Sequence, residues 1–393
     1  MRSTEKWTLA LLLAFPSTGL VQKYAGLAGV AVYVAAVVGV VFLIARFGGL
    51  AAPWVHRHFR SLAVVAVTAL AAGFVFLHPL EDGRGPGKSS DRDEGLALAV
   101  TRLAEGRTPY YPQNPVSGPL SVLPGAVILA SPFVALGNAG YQNVFWLAAF
   151  MAASAWVFRD KALALLLALV LLGISPSALY EFVSGGDLIA NGIYLAVFLL
   201  LALEAWTRPD APAWSKWAAC LMLGIALASR SNFLLLVPLF GAALWRSVGF
   251  PKALLASGGA VLIAAALTLP FYLHDPAGFT PLLAREKMAG ADHLLPGASL
   301  VMIAVTALAS LVGAWVLLSI PSEDPQGAFF RWCAIVTLCP VACAVVLFSI
   351  VQGRLDFEFT RERFGLMYVF FAFWGWGKCW FDRPPCAGSP APR

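Results

Sequence analysis

Apolar runs alternate with short polar segments along most of the chain. A helix needs about 20 mostly apolar residues to cross roughly 30 Å of hydrocarbon. The clearest runs of this kind are 25–45, 61–80, 141–158, 162–180, 253–273, 297–320 and 332–353. Shorter or interrupted runs lie at 7–22, 188–203, 217–229, 231–245 and 364–377. The pattern predicts an all-α polytopic membrane protein with about twelve transmembrane helices.

Composition excludes a soluble fold. Hydrophobic residues make up 60% of the 393 residues and charged residues 12%, whereas a soluble domain carries about a quarter charged residues. The mean hydropathy is +0.77. The net charge of +6 comes from basic residues scattered among the loops, so no nucleic-acid partner is predicted.

The basic residues predict the orientation of the chain. Arg46, His56, Arg57, His58 and Arg60 lie between the second and third runs, and basic loops usually remain cytoplasmic. Counting from this loop places both termini in the cytoplasm, and we expect the chain in a bacterial inner (plasma) membrane. The loops richest in ionisable groups then face outward, and these are 81–120, 181–187, 274–296 and 352–363.

The first outer loop contains a predicted surface helix. Asp91 stands at an N-cap position three residues before Glu94, a spacing typical of a capping box. We expect a helix over 92–105, ended by Gly106 and Pro109. Its apolar stripe is narrow, which favours a helix lying on the membrane surface.

A second unusual element follows this helix. The apolar run 119–136 contains Pro124, Gly125 and Pro132. A full span here would reverse the side of every later loop and place basic residues such as Arg159 and Lys161 outside. We therefore predict a half-inserted helix.

The order of these features resembles the first outer loop of the GT-C superfamily of membrane glycosyltransferases, whose members include protein O-mannosyltransferases and glycosyltransferase family 87. The similar features are Asp93-Glu94 on a surface helix, LALAVTRLAEG, Thr108-Pro109-Tyr110 and the proline-interrupted segment. Two later stretches are also similar, GIALASRSNFLLLVPLF at 224–240 and Arg361-Glu362-Arg363-Phe364.

The resemblance covers most of residues 80–380. It predicts a membrane module at 61–380, preceded by an additional helical pair at 1–60 and followed by a flexible cytoplasmic tail at 381–393. The pair departs from the commonest family layout, in which the acidic loop follows the first span.

The resemblance implies sugar transfer from a polyprenyl-phosphate donor to a glycan, lipid or protein acceptor among membrane lipids. Asp93 would be the general base and Glu94 would help to place the acceptor, with Asp91 and Asp82 as substitutes. Tyr110 and His293 are further candidate substrate contacts. Cations must neutralise the departing phosphate, and the candidates are Arg361, Arg363 and Arg230.

Several of these residues also have structural interpretations. Glu94 suits a capping box, and Arg230 could extend to the interface from the end of an apolar run. Glu181 and Asp187 flank Ser184-Gly185-Gly186, where they could contact sugar hydroxyls or simply keep the loop in water. No acid, His or Cys spacing indicates a metal site, so no cofactor is predicted and metal dependence stays open.

Two other functions fit a polytopic chain. A transporter or lipid flippase would place ionisable groups or broken helices near the middle of the membrane, whereas here they concentrate in loops. An envelope acyltransferase would use a His-centred site, and the five histidines show no such arrangement in the sequence.

Overall fold

The computed structural model describes residues 3–83, 92–110, 119–158, 160–283, 292 and 295–377. Within these ranges the regular structure is helical, and no strand occurs. Six helical segments are long and apolar enough to cross a membrane, or seven if one helix pair bent by 93° counts as a single span. The prediction of an all-α membrane protein is therefore confirmed at this level.

The α-helices follow one another with short connections. They are α1 (Ser3–Ala14), α2 (Thr18–Asp82), α3 (Arg92–Ala104), α4 (Pro124–Ala135), α5 (Tyr141–Phe158), α6 (Lys161–Ile174), α7 (Pro176–Val183), α8 (Leu188–Thr207), α9 (Ala213–Leu227), α10 (Val237–Val248), α11 (Phe250–His274), α12 (Ala298–Ser319), α13 (Pro325–Gln352) and α14 (Leu366–Trp376). Short 3₁₀ turns lie at Phe15–Ser17, Ser231–Leu236, Thr280–Leu283 and Glu358–Glu362.

Helix α2 contains two breaks, at Gly26 (φ 64°) and at His58. Tyr33 donates to the carbonyl of Ile174 at 2.9 Å, and His56 lies 2.9 Å from Asp160. The part before His58 therefore runs against the direction of α6.

The part of α2 after His58 returns in the opposite sense. His78 lies 3.0 Å from the carbonyl of Val183 at the end of α7, so this part runs in the same order as residues 160–183. The predicted basic loop between the second and third runs is helical except at His58. That prediction of a loop was wrong, because the bend needs only one non-helical residue rather than an irregular connection.

Loops that the charge pattern assigns to one side contact one another. On the predicted outer side, the Gly19 amide donates to Thr360 Oγ1 at 2.7 Å. On the predicted inner side, Arg246 donates to the Ile320 carbonyl at 2.6 Å and Arg331 to the Gly375 carbonyl at 3.2 Å. These contacts agree with the predicted grouping of the loops, and the side of the membrane that each group faces stays a prediction.

Helices α8 and α14 form the centre of the bundle, and both are buried along most of their length. Leu13 of α1 and Val41 of α2 belong to the same apolar core, so residues 3–60 pack with the rest of the bundle. The surrounding helices expose apolar side chains, such as Leu262 and Leu300. A smaller core joins α3 to α4 through Leu96, Val127 and Phe279.

The two elements predicted in the first outer loop form as helices. Helix α3 occupies Arg92–Ala104, and the chain then turns at Gly106, whose φ is 72°. Helix α4 has 12 residues and rises about 18 Å, which is less than the hydrocarbon thickness. By itself α4 is too short for a full span. The proposed N-cap, Asp91, lies outside the described residues.

Candidate functional site

Seven ionisable residues gather at one end of the bundle, where α3, the α7–α8 turn, the end of α9 and the start of α14 meet. We call this group the charge cluster, and its members are Arg92, Asp93, Glu94, Glu181, Asp187, Arg230 and Arg363. The relative exposure is 0% for Glu181, 3% for Asp187, 6% for Asp93 and 8% for Arg230. Charges withdrawn from water to this extent require partners.

Glu181 links three parts of the cluster. Its Oε1 accepts the Leu188 amide at 2.8 Å, at the start of α8. Its Oε2 lies 3.0 Å from Arg363 Nη1, and Oε1 lies 3.8 Å from Arg92 Nη1. One carboxylate therefore holds α3 and the segment before α14 against the α7–α8 turn.

Two glycines let this turn approach the cluster closely. Gly185 has a φ of 71°, and a Cβ built there would lie 3.0 Å from Asp93 Oδ2. A Cβ at Gly186 would lie within 2.3 Å of Glu181 Oε1. Arg363 Nη1 donates to Ser184 Oγ at 3.2 Å in the same turn. Asp93 and Arg363, which are distant in sequence, thus reach the same short segment.

Asp187 and Arg230 form a second buried ion pair. Asn191 also donates to Asp187 Oδ2, at 2.8 Å. Burial by itself would raise the pKa of Asp187, but the charges of Arg230 and Arg92 outweigh it and hold that pKa below its usual value. Two structural interpretations are therefore wrong. Glu181 and Asp187 do not keep the loop in water, and Arg230 does not extend to the interface, because all three side chains point inward to partners.

Asp93 and Glu94 differ from the paired carboxylates. Burial raises the pKa of Asp93 to about 6. Burial and the adjacent Asp93 carboxyl raise the pKa of Glu94 to about 8. Among the described residues, Asp93 Oδ1 and Glu94 Oε2 have no hydrogen-bond partner. Such carboxyls are suited to accept or release a proton near neutral pH.

The structure separates Arg361 and Tyr110 from this cluster, but not Asp82. Arg361 pairs instead with Glu358 at 2.8 Å, and its side chain is 37% exposed. Tyr110 packs in the smaller core, with its ring 4.7 Å from that of Phe279. Asp82 is exposed at the end of α2, where its charge still acts on Asp93. Asp91 and His293 lie outside the described residues.

Two residues of the site were not among the predictions. Arg92 precedes Asp93 directly and faces Glu181, and the side-chain ring of Phe364 lies 5.4 Å from its guanidinium carbon. His78 lies 3.4 Å from Asp93 Oδ2. The position of Arg92 beside a candidate base was a usable signal, whereas the sequence gives no sign that the end of α2 returns to α3.

Comparison of the chain with protein-family models, with curated proteins and with solved structures found no match. The chemistry of the site is thus argued from its own residues. Within the described part of the chain, no group of three or more His, Cys, Asp or Glu side chains is placed to hold a metal ion. The cluster offers carboxyls for proton transfer and guanidinium groups for binding an anion.

Gly186→Ala should destabilise the protein by about 3 kcal/mol, because the added methyl group displaces the Glu181 carboxylate from its buried partners. Thermal unfolding of purified protein in detergent measures this loss. Gly73→Ala is the matched control, since its Cβ would meet nothing within 4 Å. Equal melting temperatures for the two variants would contradict the linking role of Glu181.

Proposed function

We propose that this chain is a membrane glycosyltransferase that moves a sugar from a polyprenyl-phosphate carrier to an acceptor hydroxyl on the extracytoplasmic face. The observation that supports the proposal is the charge cluster. In this cluster Asp93 lies against Gly185 of the α7–α8 turn, and the guanidinium groups of Arg92, Arg230 and Arg363 pair with Glu181 and Asp187 at the two ends of that turn. The acceptor is a glycan, a lipid or a protein.

The proposed reaction needs one base and a cationic pocket. Asp93 accepts the proton of the acceptor hydroxyl as that oxygen bonds to the anomeric carbon. The bond between this carbon and the phosphate oxygen breaks, and polyprenyl phosphate leaves as an anion. Guanidinium groups neutralise the leaving phosphate, because their forked donors match phosphate oxygens.

The buried acids give this pocket a defined geometry. Glu181 orients Arg363, and Asp187 orients Arg230. Arg230 Nε has no hydrogen-bond partner among the described residues, so this guanidinium retains a donor for an incoming anion. Donors oriented in advance lose little entropy when the charged group arrives.

We also propose about twelve membrane crossings with both termini in the cytoplasm of a bacterial inner membrane. The reversal of α2 at His58 supplies additional crossings within one long helical segment. Short apolar helices such as Ala213–Leu227 and Leu366–Trp376 supply others. In this proposed orientation the charge cluster would lie at the outer surface, on the side of the carrier's phosphate.

Asp93→Asn should abolish sugar transfer, because an amide cannot take the acceptor's proton. The assay combines purified protein, a polyprenyl-phosphate sugar and an envelope lipid extract, and measures free polyprenyl phosphate. Asp210→Asn is the control, since Asp210 is an exposed acid. Full activity of Asp93→Asn would remove the proposed base, and uptake of the carrier without bond cleavage would indicate a transporter.

The rate of transfer should rise as the pH increases through about 6. Asp93 accepts a proton only when ionised, and its pKa is raised to about 6. Below that pH the base is protonated, so kcat/KM should fall about tenfold for each further pH unit. A rate that stays constant down to pH 5 would contradict this assignment.

Arg363→Lys should raise the KM for the carrier at least about tenfold, because lysine keeps the charge but loses the forked donor. Arg361→Lys is the matched control, two residues away and paired with Glu358. Steady-state kinetics with varied donor concentration compare the two variants. Equal KM values would exclude Arg363 from the phosphate site.

A further inference from the structure

His78 is held in a fixed position beside Asp93. Its ring stacks on Phe74, with centroids 4.8 Å apart. Nδ1 lies 3.0 Å from the Val183 carbonyl oxygen, and Nε2 lies 2.9 Å from Asn138 Nδ2. Asp93 Oδ2 is 3.4 Å from the same Nε2.

Two backbone groups determine which ring nitrogen carries hydrogen. The Val183 carbonyl can only accept, so Nδ1 is the protonated nitrogen. The Gly140 amide donates to Asn138 Oδ1 at 2.6 Å, so Asn138 presents its amide nitrogen to His78. That nitrogen donates to Nε2, which leaves Nε2 as an acceptor in a neutral imidazole.

Nε2 therefore faces Asp93 Oδ2 without a hydrogen of its own, at 3.4 Å. We propose that His78 is a positioning residue that takes up a proton from Asp93 through Nε2. This relay rests on the proposed function. In it, the proton of the acceptor hydroxyl passes from Asp93 to His78. His78 then holds two protons, Asp93 is again ionised, and the polyprenyl phosphate departs without taking a proton.

Among the described residues, Asp93 is the ionisable group in contact with the His78 ring. On its own helix, Glu81 accepts the Tyr180 hydroxyl at 3.1 Å. Glu94 and Asp82 act on Asp93. From α7 His78 meets the Val183 carbonyl, and from the segment before α5 it meets Asn138. Tyr141 of α5 packs against Phe74, with ring centroids 5.6 Å apart.

Nitrogen-15 NMR of histidine-labelled protein in lipid nanodiscs tests the hydrogen-bond arrangement without any assay of activity. His78→Gln assigns the signal. In the wild type at pH 7.5 we expect the neutral tautomer with hydrogen on Nδ1. Asn138→Asp keeps the acceptor for the Gly140 amide but turns the donor facing Nε2 into an acceptor, so His78 should become doubly protonated. Hydrogen on Nε2 in the wild type, or an unchanged spectrum in Asn138→Asp, would overturn the proposal.

A kinetic comparison tests the relay itself. His78→Gln should lower the rate of transfer at pH 7 at least tenfold with an unchanged KM for the carrier, whereas the exposed-histidine control His274→Gln should not. Asn138→Asp should move the acid limb of the pH profile to lower pH, because a charged His78 favours ionised Asp93. If the acid limb does not move in Asn138→Asp and His78→Gln transfers sugar at the normal rate, the relay is refuted. Asp93 would then still be the base. A wild type that transfers no sugar would instead refute the proposed function, and the NMR result would still decide whether Nε2 carries no hydrogen at rest, as the relay requires.

Discussion

The arrangement of the site depends on the pairing of the Glu181 carboxylate inside an apolar bundle. Removing a carboxylate from water is costly unless cations and hydrogen-bond donors replace the lost hydration. Glu181 obtains these partners from the start of α8, from Arg363 and from Arg92. The need to pair this charge holds α3 and the segment before α14 at the α7–α8 turn, and Gly186 provides the space for it.

The same burial separates the acids of the cluster into two kinds. Glu181 and Asp187 lie against guanidinium groups, so they serve to orient cations. Asp93 and Glu94 lie beside each other instead; burial raises the pKa of both, and the Asp93 carboxyl raises that of Glu94 further. In the proposed reaction the guanidinium groups would bind the leaving phosphate and the Asp93 carboxyl would accept the proton.

Local signals in the sequence were sufficient for much of the fold. Apolar runs located helices such as α11, α12 and α13, and the stop at Gly106 located the end of α3. Contacts between distant residues could not be derived in this way. Arg361 and Arg363 are two residues apart, yet the positive φ of Arg363 marks a turn, and only Arg363 reaches Glu181. His78 near the end of α2 meets Asp93 near the start of α3, a contact that the pattern of apolar residues does not specify.

A cryo-electron microscopy map of the protein with a bound polyprenyl-phosphate sugar is the most direct test of the proposed site. We expect phosphate density in contact with the guanidinium groups of Arg363 and Arg230, with the anomeric carbon facing Asp93. A phosphate bound elsewhere, or a carrier enclosed between helices and distant from Asp93, would contradict the assignment of the charge cluster as a sugar-transfer site.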